Sequence, residues 1–145
     1  MAGGEATILL VEDDPDDVQL TEIAIREAGA RVRLDVVGDG EDALRYLRRQ
    51  SPYERARRPH LVLLDLNLPK LDGREVLREI KADEDLRAIP VIVLTTSAEE
   101  DDVLLSYRHH ANSFITKPID FDEFLQVVSV IERYWLEVVR LPDGR

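Results

Sequence analysis

Four places in the chain end an apolar run on a reactive side chain. Ile8-Leu9-Leu10-Val11 leads into Glu12-Asp13-Asp14, Leu61-Val62-Leu63-Leu64 into Asp65, Val91-Ile92-Val93-Leu94 into Thr95, and Ser113-Phe114-Ile115-Thr116 into Lys117-Pro118. Short runs rich in leucine and β-branched residues read as buried strands, so each strand delivers a polar group at its end. In an open parallel sheet ligands bind outside the carboxyl ends of the strands, which brings these groups to one crevice. Converging carboxylates imply a hard cation bound through oxygen. With a hydroxyl and an ammonium added, they describe a phosphoryl-accepting site.

The chemistry follows from the residue types. A carboxylate such as Asp65 can accept a phosphoryl group as a mixed anhydride, provided the charge of the anionic donor is screened. Mg²⁺ would do this, held by Asp13, Asp65 and one turn carbonyl, with Glu12 or Asp14 holding an outer water. The oxygens of the moving phosphoryl group need donors, which the metal, the Lys117 ammonium and the Thr95 hydroxyl would supply. Asn67 and Ser97, two residues past Asp65 and Thr95, would govern the access of hydrolytic water and hence the lifetime of the anhydride. Each residue has a simpler competing role. Asp14 or Asp16 could cap the next helix, Asp65 alone could form a turn, and Lys117 could be a structural ion pair. The coincidence of all four strand ends favours the site.

The elements that must position these groups alternate between apolar runs and amphipathic stretches, the pattern of βα units wound into a parallel sheet with helices on both faces. Five units can be counted, giving an α/β, doubly wound fold over residues 7–141, with frayed ends at 1–6 and 142–145. Pro15 suits the first turn of the first helix and Gly29 its C-terminus. The second strand, 33–37, alternates apolar and polar residues like an edge. Residues 51–59, with two prolines and Arg55, Arg57 and Arg58, read as a long loop available to a partner. Gly73 precedes the third helix, and Ser97, Glu99 and Glu100 open the fourth. The fifth helix is expected to run over 120–141. Its stripe of Phe121, Phe124, Leu125, Val128, Ile131 and Trp135 is widened by Val127, Val130, Tyr134, Val138 and Val139, a surplus apolar face that suits self-association.

Composition excludes other classes. Thirty acidic against nineteen basic residues in a 145-residue chain give a net charge of -11, which would repel a nucleic-acid backbone. No cysteine is present, so disulfides, a thiolate nucleophile and zinc-thiolate sites are excluded. The start Met1-Ala2-Gly3-Gly4-Glu5 lacks the regions of a signal peptide and no run is long enough to span a bilayer, so a soluble, cytoplasmic protein with no membrane anchor is expected. The first turn, Glu12-Asp13-Asp14-Pro15-Asp16-Asp17, is neither G-x-G-x-x-G nor a P-loop and would repel a flavin phosphate. The pair His109-His110 reads as surface groups near a helix C-terminus rather than a metal or phosphohistidine site.

Taken in this order, over about residues 7–133, these residues resemble the receiver domain of two-component response regulators, the CheY-like fold. The resemblance implies that Glu12 and Asp13 form the acidic site, Asp65 is the phosphoacceptor, Asn67 gives a carbonyl to Mg²⁺, Thr95 is the switch hydroxyl and Lys117 binds the phosphoryl group. It further implies a cis bond at Lys117-Pro118 and a rotating aromatic at Phe114. Glu12 stands where an aspartate is commoner. The donor would be a phosphohistidine of a sensor histidine kinase. The protein would be a switch rather than an enzyme acting on external substrates, with a phosphate-shuttling intermediate or a constitutively dimeric scaffold as alternatives. The loop before the third strand and the ending Ile131-Glu132-Arg133-Tyr134-Trp135-Leu136 are similar to regulators partnered with bacterial phytochromes, implying a homodimer through the fourth strand, fifth strand and fifth helix.

Overall fold

A computed structural model describes residues 5–27, 31–97 and 99–142. In chain order the elements are β1 (Ala6–Val11), α1 (Pro15–Glu27), β2 (Val32–Val37), α2 (Gly40–Leu47), β3 (Leu61–Leu64), α3 (Gly73–Ala82), β4 (Val91–Thr95), α4 (Glu100–Arg108), β5 (Ser113–Thr116) and α5 (Phe121–Glu132). The five strands form one parallel sheet in the order β2-β1-β3-β4-β5. Because the chain steps outward from β1 to β2 and then crosses back to β3, the strand order reverses between β1 and β3. Their carboxyl ends flank the crevice where such sheets bind ligands.

Strand periodicity divides the core into two layers. Leu9, Val11, Val62, Leu64, Val91 and Val93 face α2 and α3, meeting Leu44, Leu47, Val76, Leu77 and Ile80. Ile8, Leu10, Leu61, Leu63, Ile92 and Leu94 face α1 and α5, meeting Ala24, Ile25, Phe124, Val128 and Ile131. The central strands are buried along their whole length, whereas β2 is exposed at Arg33 and Val36 and β5 is only half-buried, as edge strands are. Asp39, Asp72 and Asp120 cap α2, α3 and α5 by accepting backbone N–H groups, each cap worth about 1 kcal/mol.

Two expectations change. The last helix stops being α-helical at Glu132 and continues as a π-helical turn, Arg133–Val138. The buried stripe then steps five residues, from Ile131 to Leu136, and Trp135 stays only half-buried. The 51–59 loop packs Tyr53 and Ala56 on the core and pairs Arg57 and Arg58 with Glu5 and Asp85, while Ser51, Pro52, Glu54, Arg55 and Arg57 stay exposed. Among the described residues the cis peptide is Ser51-Pro52, not Lys117-Pro118. A trans X–Pro bond is favoured by roughly 0.5–1 kcal/mol, and Lys117 reaches its partners with that isomer. Gly29 and the outermost terminal residues, 1–4 and 143–145, lie outside the described residues.

Candidate functional site

Backbone bonds between neighbouring strand ends set the positions of the reactive groups. The Asp65 N–H donates to the Val11 carbonyl at 3.1 Å, and the Lys117 N–H to the Thr95 carbonyl at 2.7 Å. The first bond places Asp65 beside Glu12-Asp13, and the second places Lys117 beside Thr95. Gly73 completes the rim from α3. A Cβ there would lie 2.2 Å from the Asp65 carbonyl oxygen and 2.6 Å from Leu66 Cα, so only glycine lets α3 begin against the acceptor turn.

The carboxylate of Asp65 is held by both oxygens. Oδ1 accepts the Thr95 hydroxyl at 2.8 Å and the Asn67 N–H at 3.1 Å, while Oδ2 accepts Lys117 Nζ at 3.1 Å. Lys117 Nζ also donates to Glu12 and, at 2.8 Å, to Asp17. Asp65, Glu12, Thr95 and Lys117 are all buried, and Asp13 is exposed at the mouth. Burial pushes the Glu12 carboxyl up to about 7, against the pull of the Lys117 ammonium. Burial alone would lower the Lys117 pKa, but its bonds to Asp17 and Glu12 raise it, so the ammonium stays charged.

One ammonium therefore faces the carboxylates of Glu12, Asp17 and Asp65, and carboxylate oxygens of Glu12, Asp13 and Asp65 lie within 4.8 Å of one another. Buried like charges need compensation, and a donor set made only of oxygens suits a hard divalent cation such as Mg²⁺. The crevice thus combines a carboxylate nucleophile, a fixed cation, a hydroxyl donor and a place for a divalent metal.

The comparisons agree with that combination. A family model described as the response regulator receiver domain matches residues 8–129. The chain belongs to this family. It is 48% identical over 135 residues to the response regulator Rcp1 of Synechocystis sp., covering 93% of this chain and 92% of Rcp1. Among solved structures, the receiver resembles the phosphorylated cyanobacterial phytochrome response regulator RcpA with a TM-score of 0.94 at 46% identity, over 97% of this chain and all of that one. It resembles the Mn²⁺-bound form of Rcp1 with a TM-score of 0.91 at 47% identity, over 94% and 99% of the two chains.

The remaining predicted residues take other places. Asp14 caps α1, accepting the Asp16 N–H at 2.9 Å, and its own N–H donates to Glu12 at 3.1 Å. Ser97 turns its hydroxyl onto Asp102 at 2.5 Å, away from Asp65. Phe114 is half-buried against the α2–α3 layer, on β5, with β4 between it and the acceptor at the end of β3. Sequence reasoning missed Asp17, Arg74 and Asp102. Asp17 stands four residues after Asp13, a helical spacing that could have flagged it. The bidentate pair of Arg74 with Asp102, at 2.7 Å for each bond, depends on how α3 and α4 pack and leaves no local signal.

Proposed function

We propose that this receiver takes a phosphoryl group onto Asp65 from the phosphohistidine of a sensor kinase, a phytochrome-type kinase by its likeness to Rcp1 and RcpA, and loses it by self-catalysed hydrolysis. The observation that carries the reading is the bracketing of Asp65, with Lys117 on one carboxylate oxygen and Thr95 on the other. An Asp65 oxygen attacks phosphorus. The O–P bond forms as the P–N bond breaks, and the electron pair leaves on the imidazole nitrogen, which is then protonated. Negative charge then spreads over the phosphoryl oxygens, and Lys117 and Thr95, which stand on the two oxygens of Asp65, are the donors at hand to meet it. Asp13 and Asp65, with the Asn67 carbonyl and a water held by Glu12, would hold Mg²⁺, which when bound neutralises charge on the phosphoryl oxygens. In hydrolysis, water attacks phosphorus, and the Asp65 carboxylate is regenerated with release of inorganic phosphate.

The output is a surface. Leu104 and Tyr107 on α4, and Val130, Tyr134 and Val138 along α5 and the π-helical turn, are large apolar residues left exposed. They suit a homodimer formed through the β4, β5 and α5 side, with phosphorylation shifting its association. Sedimentation of wild type and Asp65→Asn with Mg²⁺, with and without beryllofluoride, tests this together with label uptake from a small acyl phosphate. Wild type alone should take up label on Asp65 and change its association; label retained by Asp65→Asn would overturn the acceptor assignment. An unchanged dimer in every sample would make the dimer a scaffold.

A further inference from the structure

α4 is attached unlike its neighbours. α3 and α5 bury apolar side chains in the core, but the buried residues of α4 are Asp102 and Ser106, while Leu104 and Tyr107 are about half exposed. Ser106 Oγ is buried without a hydrogen-bond partner among the described residues, so the underside of this helix is polar and gains little from hydrophobic burial. Its firm attachment is Asp102. Both carboxylate oxygens are taken by Arg74 of α3, through Nε and Nη2 at 2.7 Å each, a planar fork that fixes orientation as well as distance.

The same carboxylate accepts the Ser97 hydroxyl at 2.5 Å, and Ser97 lies on the loop that carries Thr95. The Ser97 N–H reaches Thr95 Oγ1 at 3.4 Å, and Thr95 donates to Asp65 Oδ1 at 2.8 Å. Arg74 Nη1 meets the Leu66 carbonyl, next to Asp65, at 3.4 Å. A closed ring therefore runs from Asp65 through Thr95, Ser97, Asp102 and Arg74 back to Leu66.

The geometry points to this ring as a strap: Asp102, fixed by Arg74, is a positioning residue that holds the Ser97 loop and Thr95 over the acceptor and ties the first turn of α4 to the same point. It rests on the acceptor reading above and adds how the state of Asp65 reaches α4. The strap is formed while the Thr95 hydroxyl is already on Asp65, so breaking it releases the donor that a phosphoryl oxygen requires, and phosphoryl binding becomes weaker. Movement of Thr95 in either direction is conveyed to Asp102 through one serine, at the end of α4 where the buried side chain is a carboxylate.

Two measurements on the full chain test this. In the metal-free protein, amide exchange at Asp102 and Val103, whose N–H groups donate to Glu99, should accelerate about tenfold in Ser97→Ala and in Asp102→Asn, with β1 amides unchanged, as a local opening requires. Ser97→Thr, which keeps the hydroxyl, should restore protection. Unchanged exchange in both variants would overturn the strap. In calorimetric titration of beryllofluoride with Mg²⁺, each variant should bind about tenfold more weakly than wild type, and the double variant no more weakly than Asp102→Asn alone, because residues in one network are not additive. Equal affinity in all proteins, or fully additive losses, would overturn the coupling. A wild type indifferent to beryllofluoride would overturn the acceptor reading and the coupling with it, while the exchange arm still decides whether the strap exists.

Discussion

Two buried ion clusters share the rim of this sheet and are charged differently. Around Lys117, one ammonium is set against Glu12, Asp17 and Asp65; around Asp102, one carboxylate is gripped by Nε and Nη2 of Arg74, whose Nη1 pairs with the exposed carboxylate of Asp72. The acids respond in opposite directions. Burial among excess negative charge pushes Glu12 up to about 7, whereas the bonds from Arg74 and then Ser97 hold Asp102 down at about 2. The Arg74–Asp102 fork leaves both carboxylate oxygens satisfied, and the second acid on Arg74, Asp72, is exposed to solvent, so this cluster asks for no further cation and acts by positioning its neighbours. The Lys117 cluster is short of positive charge at the place where a metal and a phosphoryl group fit, and that shortage distinguishes a working site from a structural contact.

Removing Lys117 should break this contrast most strongly. Lys117→Ala leaves the acidic set without its resident cation, so Mg²⁺ should still bind, but the developing charge on the phosphoryl oxygens loses a fixed donor. Phosphoryl uptake from an acyl phosphate should slow by roughly 10²–10³-fold, the usual cost of deleting one preorganised donor. Rapid-mix labelling beside a Mg²⁺ titration would check it. Uptake at the wild-type rate would show that the ammonium only neutralises the acids around it.

Gly73 joins the two clusters, because α3 brings Arg74 to the rim only by starting against Asp65. The Cβ of Gly73→Ala would meet backbone on both sides, at 2.2 Å from the Asp65 oxygen and 2.6 Å from Leu66 Cα, and neither is a flexible side-chain end. The variant should lose ~3 kcal/mol in urea unfolding, within the range of severe packing defects. A loss confined to phosphoryl uptake, with stability intact, would mean that the acceptor turn can give way alone.

The two clusters were also unequally legible in the sequence. Glu12, Asp13, Asp65, Thr95 and Lys117 each end an apolar run, so strand periodicity alone brings them to one edge, and the five βα units follow from the same runs. Asp102 and Arg74 sit within helices that look solvated. Their meeting is a tertiary event, set by the approach of α3 to α4, and no spacing along the chain encodes it. The π-helical turn after Glu132 escaped for a related reason: the apolar stripe there is broad enough to fit either winding, and the choice of Leu136 over Trp135 as the core residue is made by packing.

The smallest effect concerns acid stability and reads the Asp102 cluster directly. Asp102 has an ordinary value of 3.8 in an unfolded chain and about 2 in the folded one, lowered by its bonds from Arg74 and Ser97. A carboxyl depressed on folding contributes stability that is complete above pH 3.8 and is lost as pH falls from there towards 2, because the unfolded state takes up its proton first. Discounted for solvent screening at the rim, the depression corresponds to about 1 kcal/mol. Asp102→Asn has no proton to gain, so its unfolding free energy should lie below that of wild type near neutrality, and the gap should narrow through this window. Urea titrations at a series of acidic pH values would show the two curves converging. Curves that stay parallel would mean that Asp102 titrates alike folded and unfolded, and that the Arg74 fork positions this carboxylate without stabilising its charge.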